Sequence, residues 1–301
     1  AYDKTKELVI DPLLASTYLG GTDIEGSSLD TVFAMSIAVA PNGDIYVAGF
    51  TDSAGTFPTV FGPFQASFGG VRDAFISRFD RGLTNLVAST YLGVSGTDAA
   101  TSLAIDGAGN VYVTGYTSSP NFPMLTPFQA IRGGGIDAFV AKLSSNLSNL
   151  SASTYLGGAN DDHAYTVVVD STGVYLAGDT ASTNFPISAP LQAANGDVSG
   201  TTTDGFISKL NLDLAGLTSS TYFGGSGNDR INAMAVRGAN IYVAGDTASA
   251  DLPLVNPMQN AIGGGTDAFI AQLGNTPGAG LLASTYLGGT GNEHAYALAM
   301  N

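Results

Sequence analysis

Five copies of one short phrase divide this chain into units of similar length. The phrase, Ser-Thr-Tyr followed by Leu or Phe and then Gly, recurs after 73, 64, 67 and 64 residues, beginning at Ser16, Ser89, Ser153, Ser220 and Ser284. Such a period indicates stacked copies of one unit that bury each other's faces. The sequence therefore predicts four complete repeats and a partial one, forming a single domain over residues 13–301 after a lead-in segment at 1–12.

The second repeat shows what each unit contains. Two β-rich runs, 100–106 and 111–117, flank a Gly/Asn turn and predict a hairpin. A proline-containing loop follows, which excludes a central strand there, and two further β-rich runs occupy 137–143 and 150–156. Four short antiparallel strands per repeat are typical of a propeller blade. We therefore predict an all-β fold, a β-propeller built from repeated four-stranded antiparallel blades.

The sequence makes separate predictions for the inner strands and for the outermost strand of each blade. Inner strands should be apolar on both faces, because neighbouring blades cover both sides of each sheet. The outermost strand contains the Ser-Thr pair of the repeated phrase, for example Ser153 and Thr154. We expect this pair to face water at an exposed sheet edge.

Four motifs together resemble a known family. They are Ser-Thr-Tyr-Leu-Gly-Gly at 16–21, Gly-Asn-Val-Tyr-Val-Thr-Gly at 109–115, Phe-Pro at 122–123 after a Thr-x-Ser, and Asp-Ala-Phe at 137–139. From Leu13 onward the chain resembles the seven-bladed β-propeller (SBBP) repeat family of bacterial secreted and surface proteins. The resemblance implies a propeller that serves as a module of a larger protein, and it implies no particular activity.

Charge and composition narrow the possible partners. With 25 acidic against 10 basic residues the net charge is -15, which argues against a nucleic-acid partner. The chain has no cysteine, so disulfides and thiolate chemistry are excluded. No apolar run reaches the roughly 18 residues of a membrane-spanning helix, and we expect no membrane insertion. Low lysine with abundant Gly, Ser and Thr favours a bacterial extracellular or cell-surface location.

The two ends of the repeat array differ in phase. The chain opens on the phrase of an outer strand at 13–20 and stops within a predicted first strand at 295–301. A sheet with unpaired edge groups invites the addition of further strands. We expect the blade to be completed either by polypeptide beyond Asn301 or by strands of another molecule.

The links between repeats contain a calcium-like motif. Residues 224–232 fit the nine-residue pattern Gly-Gly-x-Gly-x-Asp-x-apolar-x, in which calcium lies between adjacent tandem turns. Here the copies are about 64 residues apart, so the alternative is a tight turn whose Asp caps backbone amides. Calcium is thus the one cofactor that the sequence leaves open, with five carboxylates as its candidate ligands: Asp23, Asp30, Asp161, Asp162 and Asp229.

The only two histidines occupy the same position in two repeats. His163 and His294 each follow an acidic residue and precede Ala-Tyr, at the predicted start of a first strand near one rim of the central channel. An imidazole beside acids, a phenol and an arginine could bind a ligand such as a glycan; the alternative is a surface histidine that two sister repeats share by ancestry. The candidate ligand-binding set comprises Asp162, His163, Asp229, Arg230, Glu293 and His294.

Polar residues present in every complete repeat are interpreted differently. An Asp precedes each third strand, a Thr ends each second strand, and a Gln lies in each intervening loop. Because all four copies carry them, we expect a structural role, with each Asp bonding a nearby hydroxyl or backbone amide. These residues are Asp73, Asp137, Asp204 and Asp267; Thr51, Thr117, Thr180 and Thr247; and Gln65, Gln129, Gln192 and Gln259.

Three functional classes are consistent with these features. The first is a non-catalytic structural or interaction module, a subunit of a larger surface assembly or filament whose partners are protein subunits or domains. The second is a ligand- or glycan-binding propeller that uses the channel rim. The third is a polysaccharide hydrolase or lyase using carboxylates such as Asp161, Asp162 and Asp229. Since no nucleophile elbow or phosphate loop is present, we predict no catalytic residue and favour the first class.

Overall fold

The computed structural model describes residues 17, 19, 36–52, 55–197 and 199–300, and this part of the chain is all β. The first sheet contains β1 (Ser36–Val39), β2 (Ile45–Thr51), β3 (Asp73–Phe79) and β4 (Leu86–Leu92). The second contains β5 (Asp98–Ile105), β6 (Val111–Thr117), β7 (Asp137–Leu143) and β8 (Leu150–Leu156). The third contains β9 (Asp162–Asp170), β10 (Gly173–Thr180), β11 (Asp204–Leu210) and β12 (Leu217–Phe223). The fourth contains β13 (Asp229–Arg237), β14 (Asn240–Thr247), β15 (Asp267–Gly274) and β16 (Leu281–Leu287).

Each sheet is one antiparallel four-stranded blade with its strands in chain order. This confirms the predicted fold class, and the four strands of the second sheet lie within two residues of their predicted bounds. The hairpin turn between β5 and β6 contains Gly109 at φ 84°, a left-handed conformation that glycine adopts without steric cost. The lead-in segment at 1–12 lies outside the described residues.

No helix occurs among the described residues, so this part of the chain offers no helical segment suited to crossing a membrane.

The sheets pack face to face in chain order, and the apolar core lies between them. One cluster joins the first and second sheets, for example through Ile76 and Phe139, and another joins the second and third, through Val140 and Phe206. A third cluster, which includes Ile207, lies between the third and fourth sheets. Strands with both faces covered are buried almost throughout, as expected for inner blades.

The Ser-Thr pair of the outer strand does not face water, and the prediction of an exposed polar edge is wrong. Ser153 and Thr154 are fully buried. The Ser153 hydroxyl donates to Pro123 O (2.6 Å), and Thr154 Oγ1 accepts from the Gln129 backbone N–H (2.8 Å). The proline loop between the second and third strands therefore covers the edge, and the two hydroxyls satisfy backbone groups that would otherwise be buried without partners.

The prediction of a first strand at 295–301 is also wrong for the described residues. Residues 293–300 have no strand pairing, and no second strand pairs with them among the described residues. The segment nevertheless lies where the next blade would begin. Asn232 Nδ2 donates to Ala295 O (3.0 Å), and in the equivalent contact Thr101 Oγ1 donates to Ala164 O (2.7 Å).

Candidate functional site

The Asp before each third strand is a structural residue, as the repeats predicted. Asp137 is buried and accepts hydrogen bonds from Gly133 N (2.8 Å), Gly134 N (3.0 Å) and Gln129 Nε2 (3.3 Å). In every repeat the loop glutamine donates to this carboxylate. The Asp and Gln together hold the loop that precedes the third strand.

A second buried carboxylate begins the second, third and fourth sheets. Asp162 accepts from Gly158 N (2.7 Å), Ser182 Oγ (3.0 Å) and the Thr180 hydroxyl, and it is 0% exposed. Asp229 makes the equivalent bonds to Gly225 N, Ser249 Oγ and the Thr247 hydroxyl. Two candidate ligand residues thus lie in the interior, in the amide-capping role that was the alternative to calcium binding. Thr117, Thr180 and Thr247 donate to this carboxylate rather than to the one before the third strand.

The two buried carboxylates meet at each joint between sheets. At Gly157 a Cβ would lie 2.5 Å from Asp137 Cγ and 2.8 Å from Asp162 Oδ2, so only glycine fits between them. Burial raises the pKa of Asp162 to about 7, and the nearby Asp137 charge adds to this. Burial likewise raises the pKa of three other carboxyls: Asp73 to about 6, Asp204 to about 7 and Asp229 to about 6.

No group of three or more His, Asp or Glu side chains in the described part of the chain is arranged to hold a metal ion. Asp161 is exposed and its Oδ1 accepts from Ile136 N (3.0 Å). Asp23 and Asp30 lie outside the described residues. Calcium binding therefore stays a prediction.

His163 belongs to a cluster of polar and aromatic side chains at one end of the third sheet. Its Nδ1 lies 2.9 Å from Asp179 Oδ1, and the Tyr165 hydroxyl donates to Asp179 Oδ2 (3.0 Å). The Tyr116 ring of the second sheet meets the imidazole edge-on at 5.1 Å. Burial alone would lower the pKa of His163, but the hydrogen bond and charge of Asp179 raise it.

Arg230 extends this cluster into the fourth sheet. Its guanidinium lies 5.7 Å from the centre of the Tyr165 ring, and its Nη2 donates to Asp246 Oδ2 (3.3 Å). Asn232 Nδ2 donates to Asp246 Oδ1 (2.5 Å), and His294 Nδ1 lies 3.5 Å from Asp246 Oδ2. The two histidines and the arginine between them therefore belong to one line of side chains.

Arg72 forms the other end of this line, on the first sheet. It donates to both carboxylate oxygens of Asp52 (2.7 and 3.0 Å), and its guanidinium lies over the Phe50 ring at 4.1 Å. The Asp52 hydrogen bond raises the pKa of Arg72, and an interaction with Tyr116 links the first sheet to the second. We call the whole set the polar row: Asp52, Arg72, Tyr116, His163, Tyr165, Asp179, Arg230, Asp246 and His294.

The structure brings together three of the six predicted ligand residues: His163, Arg230 and His294. Glu293 accepts from Gly289 N (2.8 Å), which is the capping role of Asp162 and Asp229. Sequence reasoning missed Asp179 and Asp246, the carboxylates that organise the row. Both occupy the position between Gly and Thr at the end of the second strand, where the first two repeats have Phe50 and Tyr116. The change from an aromatic residue to Asp at this one position, among otherwise similar repeats, could have identified both carboxylates from the sequence.

Beside Arg230 the polar row borders a cavity of about 320 Å³, lined by Asp179, Thr203, Asn228, Asp229, Arg230 and Asp246. The carboxylate acceptors and the guanidinium donor of this lining suit a neutral, hydroxyl-rich ligand. Two contacts of the polar row also join consecutive sheets: the Tyr116 ring meets His163 between the second and third sheets, and Arg230 lies over Tyr165 between the third and fourth.

Comparison with known proteins agrees with the fold. The family model of the SBBP beta-propeller repeat matches residues 89–123, which run from β4 of the first sheet to the loop after β6. A regulatory protein, FlaEY, from Caulobacter vibrioides is 24% identical over 232 residues. That similarity covers 70% of this chain and 23% of the other protein, so the chain matches less than a quarter of its relative's length.

Proposed function

We propose that this chain is a non-catalytic propeller module that binds other protein subunits or domains in a larger extracellular or cell-surface assembly. The assembly would be either a seven-bladed propeller completed by further blades or a filament of chains. The observation that carries the proposal is the uncovered face of the fourth sheet.

That face contains apolar side chains which every earlier sheet buries. Ile270 is 37% exposed and Leu287 is 47% exposed. Their equivalents in the first three sheets are all 0% exposed: Ile76, Val140 and Ile207 for the first position, and Leu92, Leu156 and Phe223 for the second. An uncovered face with the composition of a blade-to-blade joint favours association with another protein surface.

Three further features support the proposal. The relative from Caulobacter is several times longer than the matched segment, which favours a module within a longer protein. The acidic composition with little lysine favours an exported surface. The buried carboxylates are used in capping and loop contacts, which favours a non-catalytic role for them.

Sedimentation velocity over a range of concentrations tests the proposal. We expect species larger than one chain, and we expect Ile270→Glu or Leu287→Glu to shift the distribution toward the single chain. Ile131→Glu is the matched control, because Ile131 is 80% exposed in a loop of the second sheet. Association that is unchanged in both face variants would contradict a role for this face, and a single-chain species at every concentration would contradict the filament.

A second candidate function is binding of a neutral glycan at the polar row. The observation that favours it is the gathering of the residues that differ among repeats beside one cavity. Arg230→Gln is expected to abolish binding on a glycan array, whereas Arg81→Gln, on an exposed turn, is expected to leave it unchanged. No binding by the unaltered chain, or equal binding by both variants, would contradict this function.

A further inference from the structure

At the first and second joints between sheets, the turn between the third and fourth strands buries a leucine in the preceding sheet, and we call this leucine the plug. At the first joint Leu147, between β7 and β8, has φ 57° and is 0% exposed. It lies in the apolar cluster of the first sheet with Tyr46, Ile76 and Ala88. Its carbonyl accepts from the backbone N–H of Phe64 (2.9 Å), so the turn is fixed to the preceding blade by both its side chain and its backbone.

The second joint repeats this contact. Leu214, between β11 and β12, has φ 60°, is 0% exposed, and joins Tyr112, Val140 and Ala152 in one cluster. Its carbonyl accepts from Phe128 N (3.1 Å). The tyrosine hydroxyl also donates to the incoming turn at both joints, Tyr46 to Ser145 O (2.7 Å) and Tyr112 to Leu212 O (3.3 Å).

We call the side chains that surround a plug its socket. The fourth sheet has the same socket, but no leucine occupies it among the described residues. Tyr242, Ile270 and Ala283 occupy the positions of Tyr112, Val140 and Ala152. With Met258 they line an open cavity of about 270 Å³. Met258 corresponds to Phe64 and Phe128, and its backbone N–H makes no equivalent bond to a turn carbonyl among the described residues.

The first sheet carries a plug that no described sheet receives. Leu83, between β3 and β4, has φ 55°, and its N–H donates to Asp80 O (2.9 Å) as Leu147 N–H does to Ser144 O. Asp80 also accepts from Thr84 N (2.8 Å), so the turn has the conformation of the buried turns without a partner sheet. A left-handed leucine is strained, and at the first and second joints its side chain is buried. Here it is half-buried.

We propose that the Leu83 turn of one copy docks into the socket on the fourth sheet of a second copy, head to tail. This inference rests on the proposed function and names its partner. The incoming first sheet also supplies Ile37, which is 68% exposed, whereas its equivalents Leu103 and Val167 are each 5% exposed. Its strand β1 takes the place of residues 294–300, which are mostly exposed and unpaired in a ladder.

The contact uses different surfaces on the two copies. A head-to-tail contact of this kind closes into a ring if its rotation closes, and otherwise it continues as a filament. The Tyr242 hydroxyl would donate to Arg81 O of the second copy, since Arg81 corresponds to Ser145 and Leu212 in the turn.

Cross-linking tests the register of the contact, because the chain has no cysteine of its own. Leu83→Cys and Ala283→Cys variants of the 301-residue chain are mixed and mildly oxidised. We expect mixed disulfide dimers in clear excess over those formed by the control pair Ile131→Cys and Ala283→Cys. Equal yields from the two mixtures would overturn the proposal.

Sedimentation of Leu83→Gly separates this inference from the proposed function. Glycine removes the side chain and relieves the left-handed strain, so the variant keeps its fold. We expect its self-dissociation constant to rise about tenfold or more, and that of Val71→Gly, at an exposed loop position, to stay unchanged. Association that depends on Ile270 but not on Leu83 would overturn the inference and leave the proposed function standing.

Two other outcomes would also overturn the inference. One is a single-chain species at every concentration. The other is a longer natural polypeptide that covers the socket with its own next blade and stays monomeric.

Discussion

Gly157 and its equivalents lie where two buried carboxylates from neighbouring sheets converge. The glycine that ends the Ser-Thr-Tyr phrase donates its N–H to the loop glutamine, as Gly157 does to Gln129 Oε1 (3.1 Å). A side chain at this position would point at Asp137 and Asp162. The requirement for glycine is therefore steric and arises from the joint between sheets.

Gly157→Ala should accordingly be strongly destabilising. The new methyl group would overlap Asp137 Cγ at 2.5 Å, and we expect a loss of roughly 1–3 kcal/mol or more in the free energy of unfolding. Chemical denaturation measures it. Gly107→Ala is the control, since a Cβ there meets nothing within 4 Å. Equal stability of the two variants would contradict the steric account.

The buried carboxyls predict a protein that is more stable in mild acid than at alkaline pH. Asp73 and Asp229, with pKa values of about 6, and Asp162 and Asp204, of about 7, are raised above the ordinary value of 3.8. Between about pH 4 and 7 the folded chain binds more protons than the unfolded chain. The free energy of unfolding should therefore fall as pH rises through this range, by roughly 2 kcal/mol or more in total.

Urea denaturation at pH 5, 6, 7 and 8 measures this slope. The raised pKa of His163 acts in the same direction, because its contribution is lost as pH rises through its folded value. Asp204→Asn should flatten the slope by removing one of the groups. A free energy of unfolding that is constant from pH 5 to 8, or that rises, would contradict the prediction.

At the scale of the element, the turns between third and fourth strands decide how blades are joined. Leu147 and Leu214 plug the first two joints, but the turn before β16 has one more residue and brings Gly278 to the third joint. Gly278 N donates to Ser219 Oγ (3.2 Å), and a Cβ at this position would lie 1.7 Å from Ala189 O. The same structural role is thus filled by side-chain burial in two joints and by close backbone approach in the third.

Matched leucine truncations test the role of the plug. Leu214→Ala should lower the free energy of unfolding by about 2–5 kcal/mol, since it opens a cavity in a buried joint. Leu83→Ala, in the same turn conformation but half-buried, should cost less than about 1 kcal/mol in the single chain. Comparable losses in thermal or chemical denaturation would show that burial of the plug is not what stabilises the joint.

At the scale of the whole molecule, the described sheets form a row in which the second and third have a neighbour on each side. Stability in such an array is a sum over units and their interfaces, so units with one interface open first. Ile37 and Ile270 mark the two uncovered faces.

Hydrogen exchange followed by mass spectrometry should show this gradient. We expect slower exchange in β7 and β11 of the inner sheets than in β3 and β15 of the outer ones. Self-association through the fourth sheet should slow exchange in β15 as protein concentration rises. Uniform protection across the four sheets at low concentration would indicate a cooperativity that nearest-neighbour packing does not provide.

The sequence by itself determined the fold class, the strands of the second repeat within two residues, and the structural role of Asp137 and its equivalents. These follow from local chemistry, namely turn glycines, prolines, β-rich runs and a visible period. Only the tertiary structure decided which residues from different repeats meet. It placed Tyr116 beside His163 and Tyr165 beside Arg230, and it set Gly157 between the carboxylates of Asp137 and Asp162. Packing brings together residues that lie far apart along the chain, and no single repeat contains the geometry of that contact.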